Sequence, residues 1–529
     1  MLNKGQQLAV DSTSKRILCL AGAGTGKTHT MLSRISRLVS DGVNTHDILV
    51  LTFTNAAAFE MLERYKLQHP RKVTPTFSTF HAFCYKLIAS DEGVRKSLGY
   101  TSTPSMPDED QLKQIDISVK QQCGITLTKG KLEGKLSLSP KERFQFDLYW
   151  KKFKQMLRQQ NLITFDIMCY DVCKLFVDKS ELVQRYIAQY KYIFVDEFQD
   201  TDTRQWEFVC AFNDANIFVV GDVLQAIYQF RGADNSIIKK LADDESWETL
   251  RLVYNYRSTK QICKHANNIN KGETTNYKLD LVSDVDGDLV RTLDCPNLER
   301  VSAEGLELIQ NIKDNMEGTC AILCRANSQV HTVKDMLDQL NISYNSNVDN
   351  TEVMNILKCV MSNEFMVSWL STMLRSEKYI EWIKLSAVDE TYSTFEGFYE
   401  LYGNQFGIRS LIKKISFIRN ILHDKGQLPY KQCVDILHCL GIRDLIVNTT
   451  ATAPSEIVAY LIDLVSEVKD SDLYVGTVHS VKGLEYDEVH VLGVESISFR
   501  IDSEELRNIY YVGCTRAKSR LSVYFDSSY

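Results

Sequence analysis

A glycine-rich run near the start of the chain has the residue types and spacing to hold a chain of phosphates. In "LCLAGAGTGKTHT", residues 18–30, an apolar segment leads into small residues followed by a lysine and a threonine. Backbone N–H groups of such a loop, with the positive end of the following helix, attract anions. Lys27 would reach the terminal phosphates and Thr28 would bind Mg²⁺. A plain glycine-rich turn is the alternative, which the strand pattern before the run and the helix pattern after it disfavour.

The loop residues expected to contact a nucleotide surround these two side chains. The run has the spacing A-x-x-x-x-G-K-T, with alanine at its first position, where glycine is usual. The candidates are Ala21, Gly22, Ala23, Gly24, Thr25, Gly26, Lys27, Thr28 and His29.

Two adjacent carboxylates form the second group suited to chemistry. In "YIFVDEFQDTD", residues 192–202, four apolar residues indicate a buried strand that ends at Asp196 and Glu197. Asp196 could hold the Mg²⁺ of a bound nucleotide, while Glu197 could orient or deprotonate an attacking water. Either carboxylate alone would most often be solvated surface. A pair at the carboxyl end of a parallel strand, in a chain with a phosphate loop, predicts hydrolysis.

Alternating strand and helix patterns supply the framework for these residues. Strand patterns at "RILCLAG", "DILVLTFT", "KYIFVDE" and "NIFVVGD" surround a helical, Lys/Gln-rich stretch from about 86 to 186. The second half repeats this plan, with strand patterns near 320–326 and after 470 on either side of a long helical stretch. The chain is therefore predicted to contain two α/β domains with parallel sheets, each carrying a mainly helical insertion.

Composition limits the remaining possibilities. The 529 residues are 44% hydrophobic and 24% charged, with a net charge of −7, so overall basicity indicates no nucleic-acid binding, although a local basic groove is still allowed. No signal segment or apolar run of about 20 residues is present, and a cytoplasmic location without a membrane partner is expected. The 14 cysteines are scattered without the spacing of zinc knuckles, so reduced thiols and no structural metal are predicted.

An ordered series of motifs resembles the UvrD/Rep/PcrA family of superfamily 1A helicases. Besides "VDEFQDT", the series contains "VGDVLQAIYQFRGA" from Val220, "VYNYRS" at 253–258, "TVHSVKGLEYDEVHVLG" at 477–493 and "YYVGCTRAK" at 510–518. "LNKGQQLAV" resembles the glutamine motif of that family, and "LTFTNAAAFEM" and "STFHAFC" resemble its early DNA-contact motifs. The series runs in family order from residue 2 to residue 520, and the two insertions lie outside it.

The resemblance implies a role for several residues around ATP. Gln6 or Gln7 would read the adenine edge, and the frame "LNxxQ" favours Gln6. Tyr256 would stack on the base, and Glu485 would bond the ribose. Gln225 would sense the γ-phosphate, and Arg257 and Arg516 would neutralise its charge as arginine fingers. Arg231 would connect the γ-phosphate region to the DNA. Taken singly, Tyr256 could be core and Arg257 a surface charge.

The resemblance also implies contacts with single-stranded DNA through stacked aromatic rings, hydroxyl groups and amides. The candidates are Thr52, Phe53, Asn55, Phe80, His81, Tyr228, Phe230 and His479. Any one of Phe53, Phe80 and Phe230 could instead belong to the core, and Phe230 stands where the family commonly has tryptophan. Ala56 and His29 stand where lysine and arginine are common, so two cations are missing.

The family's architecture is two RecA-like parallel-sheet domains of the P-loop NTPase class, with Mg²⁺ and ATP between them. It implies an ATP-dependent helicase that steps along single-stranded DNA, 3′→5′, and unwinds at single-strand/duplex junctions. The predicted division is 1–86 and 187–254 for domain 1A, 87–186 for insertion 1B, 255–350 and 471–529 for domain 2A, and 351–470 for a reduced insertion 2B.

Two other functions stay open at this stage. One is an ATP- and DNA-gated switch or partner subunit of a nuclease, replication or repair complex with little unwinding, since the span between "NYRS" and "TVHS" is short and the chain contains no nuclease motif. The other, more distant, is a small-molecule kinase, for which no substrate-pocket signature is present.

Overall fold

The computed structural model describes most of the chain outside the predicted second insertion. It covers residues 2–70, 73–107, 109–128, 132, 139–228, 232–269, 277–345, 471–495 and 503–526, with four single positions at 421, 436, 457 and 461. The predicted insertion 351–470 therefore lies outside the described residues, apart from those four positions.

Strands and helices alternate through both halves of the described chain. The strands are β1 (Arg16–Ala21), β2 (Ile48–Thr52), β3 (Thr76–Thr79), β4 (Tyr192–Val195), β5 (Asn216–Gly221), β6 (Glu248–Leu252), β7 (Arg291–Asp294), β8 (Cys320–Cys324), β9 (Leu473–Thr477), β10 (Tyr486–Val494) and β11 (Ala517–Phe525). The helices are α1 (Lys4–Asp11), α2 (Lys27–Ser40), α3 (Asn55–Gln68), α4 (Phe80–Ser90), α5 (Glu92–Ser97), α6 (Glu109–Cys123), α7 (Pro140–Gln159), α8 (Phe165–Val177), α9 (Glu181–Gln189), α10 (Thr203–Cys210), α11 (Ser236–Asp243), α12 (Lys260–Ile269), α13 (Ala303–Asn315), α14 (Asn327–Gln339) and α15 (Glu504–Cys514).

The first sheet is parallel and has the strand order β3-β2-β4-β5-β1-β6. Successive side chains of a strand point to opposite faces, so both faces of a covered sheet must be apolar. One face packs against the side of α1, α2 and α3 through residues such as Ile17, Cys19, Val50, Phe194 and Phe218. The opposite face carries Leu18, Leu20, Leu49, Val195 and Val219.

The predicted first insertion shares the core of this sheet. Ile115, Phe153 and Phe176 are buried in the same apolar cluster as Leu18 and Val195. Both expected ends of the insertion, 86/87 and 186/187, fall inside continuous helices, α4 and α9. The insertion thus continues from the sheet domain without a flexible joint at those positions.

The second sheet is also parallel, with the order β7-β11-β10-β8-β9. Its two faces again pack into separate apolar clusters, one containing Leu323, Val491 and Val523 and the other Ile322 and Leu492. The predicted α/β class with two parallel sheets is therefore confirmed. Within the described residues, no helix is both long enough and apolar enough to cross a membrane.

Candidate nucleotide cleft and nucleic-acid groove

A cleft of about 480 Å³ opens where the first sheet meets the second half of the chain. The carboxyl ends of β1, β4 and β5 share one edge of the parallel sheet, and ligands of α/β sheets bind at such an edge. From the first half, the cleft is lined by Gly24, Thr25, Gly26, Lys27, Thr28, His29, Ala57, Glu60, Met61, Arg64, Asp196, Glu197 and Gln225; from the second, by Tyr256, Arg257, Gly483, Glu485 and Arg516.

The loop after β1 takes a shape that only small residues permit. Gly24 and Gly26 have φ values of +68° and +81°, in the left-handed region that glycine adopts without a steric penalty. A Cβ on Gly24 would lie 2.8 Å from both Arg257 Cβ and Asn255 Nδ2. Asn255 Nδ2 donates to the carbonyl of Ala23 at 2.7 Å, so the second half of the chain closes directly on this loop.

Lys27 and Thr28 begin α2, and both line the cleft. Lys27 Nζ donates to the carbonyl oxygen of Ala21 at 3.2 Å, which holds the ammonium over the loop. Asp196 follows β4 and is 5% exposed, and its Oδ1 has no hydrogen-bond partner among the described residues. Burial and the neighbouring Glu197 raise the pKa of Asp196. A hydroxyl, a free carboxylate oxygen and a cradle of N–H groups fit a magnesium–nucleotide complex.

Glu197 is held by a buried glutamine that the sequence reasoning did not single out. Its backbone has φ +47°, an unusual conformation for a residue with a side chain. Gln199, fully buried, donates to Glu197 Oε2 at 2.5 Å and accepts from the backbone N–H of Asp222 at 3.0 Å. Burial alone would raise the pKa of Glu197, but the ammonium groups of Lys27 and Lys482 and the bond from Gln199 lower it. The carboxylate is therefore kept ionised, as a water-orienting base requires.

The second half of the chain contributes two guanidinium groups to the cleft. Arg257 Nε donates to Glu485 Oε2 at 2.8 Å, and its Nη1 donates to the carbonyl of Thr515 at 3.1 Å. Arg516 is 2% exposed and donates from Nε to Val512 O at 3.0 Å. Burial and the nearby Arg257 lower the pKa of Arg516 to about 9. The two predicted arginine fingers therefore lie close together in the cleft, and Arg257 borders the loop.

Tyr256 and Gln6 occupy different environments around the loop. Tyr256 is 53% exposed beside the cleft, and its hydroxyl accepts from Asn3 Nδ2 at 2.8 Å. Gln6 is buried, its Nε2 donates to the Thr25 carbonyl at 3.1 Å, and its Oε1 accepts from the Asn3 N–H at 3.0 Å. Gln6 therefore stabilises the loop through its bond to Thr25, whereas Gln7 is exposed and donates to Asp11 Oδ2 at 2.7 Å.

Gln225 connects the cleft to the second half of the chain. Its side chain lines the cleft and donates to Asp222 Oδ2 at 2.7 Å. Its carbonyl accepts from Lys482 Nζ at 2.9 Å, and Lys482 also donates to the buried Asp200. The Lys482 ammonium lies 4.8 Å from the ring centre of Tyr228. Lys482, within a motif quoted for Glu485, is a functional candidate that sequence reasoning missed.

A second cavity, of about 390 Å³, contains three of the predicted DNA contacts: Phe53, His81 and Tyr228. Phe53 stacks on Tyr228 with ring centres 5.2 Å apart and planes inclined by 15°. His479 lies 6.2 Å from the Tyr228 ring. These aromatic residues, which we call the aromatic groove, have the flat apolar surfaces on which unpaired bases stack.

Two cysteines line the cavity that contains the aromatic groove. Cys169 and Cys173, on α8, line the same cavity as His81. Hydrogen bonds from Cys84 and His81 lower the pKa of the Cys169 thiol, although burial opposes the change. The groove therefore contains a thiol with increased thiolate character.

Three of the predicted DNA contacts have partners within the protein. Phe80 is 5% exposed and packs edge-on against Phe208, so in this structure it belongs to the core, the alternative that the sequence left open for it. Thr52 is also buried, and its hydroxyl donates to Thr54 O at 2.9 Å. Asn55 accepts from the Thr79 hydroxyl at 3.1 Å. Phe230 and Arg231 lie outside the described residues, so their expected roles stay predictions.

Comparison with known proteins agrees with this arrangement. The UvrD/REP helicase N-terminal domain matches residues 2–132 and 108–246, and the UvrD-like helicase C-terminal domain matches residues 250–392 and 457–528. A probable DNA helicase II homolog of Rickettsia conorii is 28% identical, over 99% of this chain and 92% of its own length. The ATP-dependent DNA helicases PcrA of Staphylococcus epidermidis and Bacillus subtilis are 27% and 26% identical, over 99% and 98% of this chain and 83% and 82% of their own.

Proposed function

The chain belongs to the UvrD/PcrA-like helicase family, and from this premise we propose that it hydrolyses ATP in the cleft to step along single-stranded DNA. In this proposal movement is 3′→5′, as the family resemblance implies, and it separates strands at single-strand/duplex junctions. RecA-like domains 1A and 2A meet at the cleft, and residues 87–186 and 351–470 are their insertions 1B and 2B.

The binding and hydrolysis of ATP are assigned to side chains that already line the cleft. Lys27 would bind the terminal phosphates, and Glu197 would orient the attacking water and accept its proton. Thr28 and Asp196 would hold Mg²⁺, which neutralises charge on the phosphate oxygens when it is bound. Tyr256, which is half-exposed, would stack on the base.

Cleft closure is assigned to the two guanidinium groups. A guanidinium has five N–H groups, and the bonds of Arg257 to Glu485 and Thr515 leave several for phosphate oxygens. Phosphoryl transfer is accelerated mainly by cations placed around the transferring group. Binding of a γ-phosphate would therefore draw domain 2A towards the loop, and hydrolysis would release it.

The contacts that lead from Gln225 through Lys482 to Tyr228 are the main support for coupling between ATP hydrolysis and stepping. Gln225 lines the nucleotide cleft, and its carbonyl is bonded to Lys482, which faces the Tyr228 ring. A shift of Gln225 with the state of the γ-phosphate would thus be transmitted to the stacked pair of Phe53 and Tyr228. Alternating grip on bases in step with cleft closure is what a single-strand motor requires.

Steady-state ATP hydrolysis with and without single-stranded DNA tests the proposal. We expect strong stimulation by DNA in the wild type and a fall in kcat of about 10²–10⁴-fold in Glu197→Gln, because the base is lost. Glu245→Gln, an exposed acidic position of the same half, is the matched control and should behave as wild type. A rate that does not respond to DNA would exclude the motor.

Strand separation needs a separate assay, since translocation and unwinding are distinct. A 3′-tailed and a 5′-tailed duplex, each with a labelled strand, report both activity and direction. Unwinding of the 3′-tailed duplex alone is the expected result, and preference for the 5′ tail would overturn the direction. DNA-stimulated hydrolysis without unwinding would favour the gated partner of a nuclease or repair complex. The alignment with the Rickettsia relative spans 612 positions, more than the 529 residues of this chain. This chain therefore lacks internal residues that the relative has, and this difference favours the alternative.

A further inference from the structure

Three potential metal ligands meet inside the second sheet, outside the residues that line the cleft. Cys320 begins β8, and Glu488 lies directly beside it on β10. His490 follows two residues later on β10, on the same face of the strand. One donor atom from each residue lies within 4.8 Å of the other two, and all three residues are at least 96% buried. Thiolate, carboxylate and imidazole are the three ligand types that zinc binds.

The distance between two of the ligand atoms fits a shared ion, and the orientation of the imidazole ring disfavours a direct hydrogen bond between them. Glu488 Oε1 and His490 Nε2 are 3.1 Å apart, yet Nε2 has no hydrogen-bond partner in the described part of the chain. The N–H direction of the ring therefore misses the carboxylate. Two ligand atoms about 2.1 Å from one zinc ion, at angles of about 95–110°, are about 3.1–3.4 Å apart. The observed distance falls within that range.

Outer contacts already orient two of the ligands. His490 Nδ1 lies 3.0 Å from the hydroxyl of Tyr524, which leaves Nε2 for another partner. Glu488 Oε2 accepts from Arg520 Nη2 at 2.9 Å, while Oε1 faces His490. Histidine and carboxylate ligands of metals are typically held in this way through their second nitrogen or oxygen.

The charges around the cluster are compatible with a divalent cation. Arg520 lies 3.6 Å from Glu317 Oε2, so its charge is shared with a second carboxylate. One thiolate and one carboxylate would neutralise a divalent ion.

We propose that Cys320, Glu488 and His490 bind one zinc ion, which ties β8 to β10. Three protein ligands leave the fourth position of a tetrahedral site to water. Glu485, which lines the nucleotide cleft, immediately precedes β10, so the ion would stiffen the strand next to a cleft residue. The ion has no assigned role in hydrolysis.

Metal binding by the full-length, tag-free protein tests this site. After chelation and gel filtration, Zn²⁺ is added and bound metal is counted by mass spectrometry; Co²⁺ serves as a spectroscopic probe. We expect one bound equivalent, a thiolate-to-cobalt charge-transfer band and a higher Tm with Zn²⁺. His490→Gln should weaken binding about 10–100-fold or more, and Cys320→Ala should abolish the band.

Cys324→Ala is the matched control. Cys324 lies on the same strand and in the same apolar cluster as Cys320, and it is equally buried. We expect this variant to keep both the bound equivalent and the band. Absence of a cobalt–thiolate band in the wild type would overturn the site and leave a buried imidazole–carboxylate contact. Equal loss of the band in Cys324→Ala and Cys320→Ala would also overturn the proposed site. If Cys320→Ala does not fold, the loss of zinc affinity in His490→Gln still tests the proposal.

Discussion

Replacing Lys482 with methionine should weaken the contact between the two halves and the communication between cleft and groove. Methionine retains most of the apolar stem but removes the ammonium. That ammonium bonds Asp200 and donates to the Gln225 carbonyl at 2.9 Å, and the side chains of Lys482 and Asp200 are only 9% and 1% exposed. Removing one member of a buried ion pair costs about 3–5 kcal/mol, because the other charge stays buried without a partner.

A double-mutant cycle measures this contribution. Burial already raises the pKa of Asp200 to about 6, so Asp200→Asn should relieve much of the cost of Lys482→Met. We expect the double variant to differ from the sum of the single variants by about 1–3 kcal/mol in urea unfolding. Lys260→Met is the control: its bond to Asp286 is at the surface, 47% and 75% exposed, and should contribute less than about 1 kcal/mol.

The same variants separate stability from coupling. Coupling between two sites typically amounts to about 1–3 kcal/mol, or about 5–150-fold, so we expect the stimulation of hydrolysis by single-stranded DNA to fall by about that range in Lys482→Met. In the double variant, Asp200→Asn should restore stability without restoring stimulation. Full stimulation in Lys482→Met, with a stability equal to that of Lys260→Met, would refute the reasoning.

Three further predictions concern the loop, the base and the groove thiol. Gly24→Ala should lower the affinity for ATP more than tenfold in fluorescent-nucleotide titrations, because the new methyl group would meet side chains at 2.8 Å. Gly42→Ala is the control, since Gly42 also has a positive φ but open space around it, and this variant should keep the affinity. Tyr256→Ala should raise the KM for ATP about tenfold, since stacking contributes about 1–3 kcal/mol, while Tyr256→Phe should retain it; equal KM values would exclude stacking. Iodoacetamide should modify Cys169 at lower pH than Cys210, because the pKa of Cys169 is lowered while burial raises that of Cys210 to about 11. Bound single-stranded DNA should protect Cys169 alone from the reagent. Equal labelling of both cysteines, without protection by DNA, would argue against DNA binding in this groove.

Local sequence was sufficient for the elements that carry the cleft. The apolar run before Ala21 forms a strand, the glycines after it take positive φ, and Lys27 opens a helix, because each of these preferences acts between neighbouring residues. "YIFV" likewise forms a buried parallel strand that ends at Asp196. Ordered motifs then predicted the family, and with it two parallel sheets that the structure confirms.

Contacts between distant segments could not be predicted in the same way. The bond from Lys482 to Asp200, the brace of Gln199 and the burial of Phe80 depend on which strands become neighbours and on which face each side chain lies. Phe80 illustrates the limit, since its motif suggested stacking and its neighbours in space made it core.

The cluster of Cys320, Glu488 and His490 marks the boundary between the two kinds of information. Cysteine spacing along the chain predicted no structural metal, and that reasoning could detect only ligands that are close in sequence. Parallel pairing of β8 with β10 places residues from two distant segments within 4.8 Å of each other. The sequence by itself determined the glycine-rich loop, the acidic pair and the strands that precede them, because local preferences are short-range. Only the tertiary structure decided which side chains share a cleft, a groove or a candidate metal site, because strand register and burial act between residues that the chain separates.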